Sequence, residues 1–186
     1  MLGELQTRKL ERKFHIFDAN GDGYVQRDDF DLIIANLLAL RGLSADSEAG
    51  KAVSAQYEDY WQTLQQFADV NQDQQVNLEE WMTYHAAALD FEQVLATEGE
   101  EGNLRPFAEV LFQMLDANDD GQISGDEYCE FLQAYKVDEG TARQTFEHLD
   151  PQGLGYLTLD QLFTLVDQFY GSNEPDAAGN WLFGPY

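Results

Sequence analysis

Between positions 116 and 127 the chain reads DANDDGQISGDE, a short run dense in side-chain oxygen. Asp116, Asn118 and Asp120 stand at places 1, 3 and 5, Ser124 at place 9 and Glu127 at place 12. Gly121 holds place 6, and Gln122 at place 7 offers its backbone carbonyl. A hard divalent cation such as calcium takes six to eight oxygens at roughly 2.3–2.6 Å, and a twelve-residue loop supplies them from these places. Glu at the last place is long enough to give both carboxylate oxygens, and glycine at the sixth permits a sharp turn. This run meets each requirement and is read as a metal site.

Three other runs follow the same plan. DVNQDQQVNLEE at 69–80 offers Asp69, Asn71, Asp73, the Gln75 carbonyl, Asn77 and Glu80. It departs only at place 6, where Gln74 must hold a left-handed backbone at a cost of about 1 kcal/mol, so binding is expected to be weakened but kept. DANGDGYVQRDD at 18–29 offers Asp18, Asn20, Asp22, the Tyr24 carbonyl, Gln26 and Asp29. Asp29 is one methylene shorter than Glu, which favours a smaller, six-oxygen shell, so this loop is read as a mixed calcium/magnesium site. DPQGLGYLTLDQ at 150–161 keeps Asp150 and Gln152, but Leu154 and Gln161 replace the ligands at places 5 and 12. One carboxylate is too little to offset dehydration of the ion, so the fourth loop is read as structural.

Each run lies between apolar-periodic segments, so the repeating unit is helix–loop–helix. Leu5, Leu10, Phe14 and Phe17 share a face before the first loop, and Phe30 to Leu40 follows it. Tyr57, Tyr60, Trp61, Leu64 and Phe67 lead into the second loop, and Phe107 to Leu115 leads into the third. The aromatics at these spacings are read as core. Val25 with Val76, and Ile123 with Leu157, stand at place 8 and are expected to pair in short ribbons. The loops begin 51, 47 and 34 positions apart. The excess in the first two intervals falls in 41–54, expected to lengthen a helix or form a loop, and in the Gly/Glu-rich 96–103, expected to link two lobes. The domain reading is therefore an N-terminal pair over 1–95, a C-terminal pair over 104–170 and a tail over 171–186.

Composition closes off other classes. Asp and Glu number 35 against 10 Lys and Arg, a formal charge of -25 that repels nucleic acid and anionic lipid. A hydrophobic fraction of 44% is enough for a real core. No stretch nears the 18–20 apolar residues of a membrane span, and the N-terminal MLGELQTRKLERKF lacks the apolar segment of a secretory signal. Cys129 is single, so no internal disulfide forms, and it is read as a buried, inert thiol. A cytoplasmic monomer is expected. His15, His85 and His148 have no nucleophile or acid partner at telling spacing, and no catalytic motif appears, so an enzyme is not expected.

The whole chain resembles the four-hand sarcoplasmic calcium-binding proteins and their bacterial relatives of the calerythrin type. The hands, the long gap between the first two, the degenerate fourth loop, Asp29 and the tail PDAAGNWLFGPY (175–186) carry the likeness. It implies an all-α fold of four EF-hands, paired into two lobes forming one compact globule, that acts as a Ca2+/Mg2+ buffer. The paucity of methionine (Met1, Met82 and Met114) speaks for this reading, because sensors line their target grooves with it. Trp181, Leu182 and Phe183 are expected to lie across such a groove. One alternative is a calcium sensor with a protein partner, for which Arg8, Lys9, Arg12 and Lys13 would be a surface; they are read instead as a solvated helix face balancing nearby acids. A photoprotein-like luciferin-binding protein is a further alternative.

Overall fold

The computed structural model describes residues 2–98 and 104–186. Among the described residues there are eight α-helices: α1 (Glu4–Phe17), α2 (Arg27–Leu40), α3 (Glu48–Phe67), α4 (Leu78–Glu98), α5 (Leu104–Leu115), α6 (Gly125–Ala134), α7 (Glu139–Leu149) and α8 (Leu159–Gly171). Four short strands sit inside the loops: β1 (Tyr24–Gln26), β2 (Gln75–Asn77), β3 (Ile123–Ser124) and β4 (Tyr156–Leu157). β1 pairs antiparallel with β2 and β3 with β4, with Val25 opposite Val76 and Ile123 opposite Leu157. These four place-8 side chains are fully buried or nearly so. Each ribbon thus ties two loops together through apolar contact and ladder hydrogen bonds, and sets the loops back to back.

The 41–54 segment divides at Ser47. Its hydroxyl accepts from the Gly50 amide and starts α3, so 48–54 lengthen that helix while 41–47 form the turn. Glycine is required at position 50, since a Cβ there would overlap the Ser44 carbonyl. In the proposed link at 96–103, residues 96–98 end α4 and 99–103 lie outside the described residues.

The two halves are packed into one body. Phe17 meets Tyr135 edge-on at 5.0 Å, and the Tyr135 hydroxyl bonds that of Tyr57 at 3.2 Å. The Asn36 amide donates to the Ala134 carbonyl, and the Arg41 guanidinium donates to the Met114 carbonyl beside the third loop. Phe14, Phe30, Tyr57 and Trp81 are buried in a continuous core, and the Trp81 indole N–H is satisfied by the Leu10 carbonyl. Cys129 is buried, and desolvation raises its thiol pKa, which keeps it in the unreactive protonated form.

The basic cluster on α1 is solvated only in part: Arg8 is exposed and Arg12 half-buried, but Lys9 and Lys13 lie inside. Lys9 is 0% and Lys13 1% exposed. They fall in register with Gln6, Leu10, Phe14 and Phe17, on the stripe that α1 turns inward. The Lys9 ammonium donates to the carbonyls of Gln168 and Ser172 at the C-terminal end of α8, and to Asn180 Oδ1. Carbonyls left over at a helix end suit a cation there. Arg12 Nε donates to the Phe183 carbonyl and Arg8 to the Tyr186 carbonyl. Arg8, Lys9 and Arg12 therefore hold the tail, while Lys13 bonds to Tyr60 and Tyr170 in the interior.

Candidate metal centre

In every loop the start of the following helix positions the last ligand. Place 9 is the N-cap and place 12 the third helical residue, so the two side chains and backbones close on one another. Ser124 Oγ accepts from the Glu127 amide while Glu127 Oε2 accepts from the Ser124 amide at 2.8 Å. Asn77 and Glu80 repeat the exchange, and Asp29 Oδ2 accepts from the Gln26 amide at 3.0 Å. The other oxygen of the place-12 carboxylate crosses the loop to an amide at place 2 or 3: Glu127 to Ala117, Glu80 to Asn71, Asp29 to Asn20. A carboxylate near a helix N-terminus is favoured there by the helix dipole as well.

Place 1 is anchored in the same way from the opposite side. Asp116 accepts from the amides of Asp120 and Gly121, Asp69 from those of Asp73 and Gln74, and Asp18 from those of Gly21, Asp22 and Gly23. Places 3 and 5 also brace the loop, since Asn118 and Asn71 accept from the place-5 amides and Asp22, Asp73 and Asp120 from the place-7 amides. The turn at place 6 is left-handed throughout, with φ of 90° at Gly23, 68° at Gln74 and 81° at Gly121. Gln74 therefore carries the strain expected of a side chain in that region, about 1 kcal/mol.

This donor set fits a hard cation. Among the described residues no three His, Cys, Asp or Glu side chains make a compact metal group of their own. The acids in each loop are spread along it, and amide and carbonyl oxygens stand between them, as suits calcium or magnesium rather than zinc. Loop one gathers Asp18, Asp22 and Asp29, and Asp29 is fully buried. Its pKa is raised, first by desolvation and then by the charges of Asp18 and Asp22, against the pull of the Asn20 and Gln26 amides. A bound cation would relieve that repulsion.

The fourth loop keeps the shape with fewer candidate ligands. Gly155 at place 6 has φ 81°, and its amide donates to Asp150 Oδ2 at 2.7 Å. Gln161 Oε1 takes the Thr158 amide as a place-12 carboxylate would, but it is neutral. Leu154 at place 5 is 46% exposed and offers no oxygen. Asp150 Oδ1 is buried with no hydrogen-bond partner, because place 5 no longer folds its amide onto it.

Besides Lys9, sequence reasoning missed the polar group that Lys13 and His85 form in the interior. The Lys13 ammonium lies 2.9 Å from the Tyr170 hydroxyl, 3.1 Å from that of Tyr60 and 3.3 Å from His85 Nε2. The signal that could have found Lys13 is its place on the Leu10–Phe17 stripe. His85 gives no such signal.

Comparison with known proteins agrees with this geometry. A family model described as an EF-hand domain pair matches residues 58–133, and one described as an EF hand matches residues 12–33. The matched pair joins the second and third hands, consecutive in sequence, whereas the ribbons join first to second and third to fourth. The chain is 27% identical to calerythrin of Saccharopolyspora erythraea over 170 residues, covering 91% of this chain and 94% of that one. It is 25% identical to sarcoplasmic calcium-binding proteins I, III and IV of Branchiostoma lanceolatum, covering 98% of each. Among solved structures, a Streptomyces coelicolor calcium-binding protein superposes with a TM-score of 0.68 at 28% identity, covering 89% of this chain and 97% of that one. The calcium-loaded apo coelenterazine-binding protein of Renilla muelleri superposes with a TM-score of 0.73 at 21% identity, covering 97% and 98%, a likeness of fold. The chain belongs to the EF-hand calcium-binding proteins, in the family of calerythrin and the sarcoplasmic calcium-binding proteins.

Proposed function

We propose that this protein is a Ca2+/Mg2+ buffer with three working loops, one ion held at each of 18–29, 69–80 and 116–127. The ligands are the oxygens at places 1, 3, 5, 7 and 12, with place 9 acting directly or through water. Magnesium competes chiefly at the first loop, where Asp29 favours a six-oxygen shell. Loop four serves as the ribbon partner of loop three. The lobes are 1–95 and 104–170, and the protein acts as a monomer without catalysis.

The observation that carries the buffer reading is the tail. Leu182 and Phe183 are 1% and 2% exposed. Phe183 packs edge-on against Phe169 at 5.0 Å, and Trp181 stacks on His148 at 3.9 Å. The Tyr128 hydroxyl donates to the Leu182 carbonyl at 2.9 Å. The apolar face built by α6, α7 and α8, which a sensor would offer to a target helix, is taken by the chain's own end. The likeness to the coelenterazine-binding protein supports the luciferin-binding alternative on architecture alone.

A dye that fluoresces on exposed apolar surface separates buffer from sensor. Calcium added to the magnesium-loaded protein should leave the dye signal unchanged. A several-fold rise would mean that the tail lifts and a groove opens, and the sensor reading would replace this one.

A further inference from the structure

Lys13 ends in a cavity. A space of about 490 Å³ is walled by Phe17, Tyr60, Phe107, Met114, Phe131 and Phe183, and reaches the surface beside Asp59 and Val110. A second space of about 190 Å³ shares Lys13, Tyr60, Tyr84 and Phe107 with it, and adds His85 and Tyr170. Six aromatic rings have their centroids 5.2–5.7 Å from the Lys13 nitrogen. Among the described residues no carboxylate forms an ion pair with Lys13, and Asp59 on the same wall is exposed.

The groups in contact with this amine can move its protons. His85 Nδ1 is 2.9 Å from the Trp81 carbonyl, which can only accept, so Nδ1 carries the hydrogen and Nε2 presents its lone pair to Lys13. Burial holds His85 neutral, its pKa well below the usual value. The hydroxyls of Tyr60 and Tyr170 are kept protonated by burial. With no described anion to hold its charge, Lys13 is lowered by desolvation to about 7, so much of it is free amine near neutrality. A desolvated lysine in an apolar pocket is the form that attacks carbonyl carbon.

We propose that Lys13 is a covalent capture site for apolar aromatic aldehydes, held in this cavity as a reversible imine. The nitrogen lone pair forms the C–N bond while the carbonyl π pair moves to oxygen; the Tyr170 hydroxyl hands its proton to that oxygen and takes one from the adduct nitrogen, which leaves a neutral carbinolamine. His85 Nε2 takes the remaining nitrogen proton and passes it to the carbinolamine hydroxyl, which leaves as water while the nitrogen pair closes the C=N bond, so that tyrosine and histidine both end neutral. The net change is aldehyde plus amine to imine plus water, with no oxidation or reduction. The cavity wall supplies stacking surface for the ring, and ring and amine are both shielded from bulk water. This capture site is independent of the metal loops.

The calcium-saturated full-length chain is incubated at pH 7 with 2-naphthaldehyde and sodium cyanoborohydride, which fixes any imine as a secondary amine, and adducts are mapped by peptide mass spectrometry. Lys13 should label on the order of 100-fold faster than exposed Lys51, because burial leaves much of Lys13 as free amine at that pH. Lys13→Met should lose that adduct alone, and His85→Gln should slow it while leaving labelling of Lys51 unchanged. Labelling confined to Lys51 and the amino terminus, with Lys13 unmodified in a calcium-loaded chain, would overturn the proposal. The wild-type map and His85→Gln decide the question even where Lys13→Met fails to fold.

Discussion

Stripping the cations with a chelator is expected to cost the fold about 12 kcal/mol, taking about 4 kcal/mol for each of three sites held at a thousand times its dissociation constant. The ions bind the folded chain, where Asp18 and Asp22 stand beside the buried Asp29, and scarcely bind the unfolded one. Without them the crowded carboxylates repel, and Asp29, whose pKa burial and those charges already raise, has no counter-charge. A domain of this size is stable by only about 5–15 kcal/mol in all, so the metal-free chain should be marginal. Thermal unfolding followed by circular dichroism should show a midpoint roughly 25–50 °C lower after chelation. A fall of only a few degrees would mean that the loops are preformed and contribute little to the fold.

Phe183→Ala should lower stability by about 3–5 kcal/mol in calcium-saturated protein, the usual cost of emptying a buried phenylalanine site. Its ring is 2% exposed and seated against Phe169. The tail around it is held by backbone carbonyls that Arg8, Arg12 and Tyr128 bind. Gly179 allows that seat, since a Cβ there would overlap the Leu165 carbonyl of α8. Urea unfolding gives the number, and the apolar dye should bind the variant more strongly than the parent. A loss below about 1 kcal/mol would place the tail's contribution within the range of ordinary surface residues.

The loops were legible because their chemistry is local. Oxygen at alternate places, a turn at the sixth and an apolar eighth residue lie within twelve positions, and sequence displays them in full. That is why Val25 could be matched with Val76, and why Gln74 could be expected in the left-handed region it occupies at φ 68°. The lack of a side-chain oxygen at Leu154 and of a carboxylate at Gln161 was legible for the same reason. The interior of α1 was not. Lys9 meets its partners 159, 163 and 171 positions away, and Lys13 meets Tyr170 at a separation of 157. A lysine in an acidic chain reads as solvated until the distant carbonyls that satisfy it are known. The tail's Leu182 and Phe183 announced apolar character, but which helices they cover depends on how α1 and α8 cross.

Three loops are expected to bind an ion and the fourth is not. Calorimetric titration of the metal-free protein with calcium, repeated in millimolar magnesium, tests this most directly. Three equivalents are predicted, with magnesium weakening the site that contains Asp29 most, and Asp150→Asn should leave the count unchanged. A fourth equivalent that Asp150→Asn removes would show that the last loop binds, and only two equivalents would show that Gln74 or Asp29 disables its loop; either result would contradict the account.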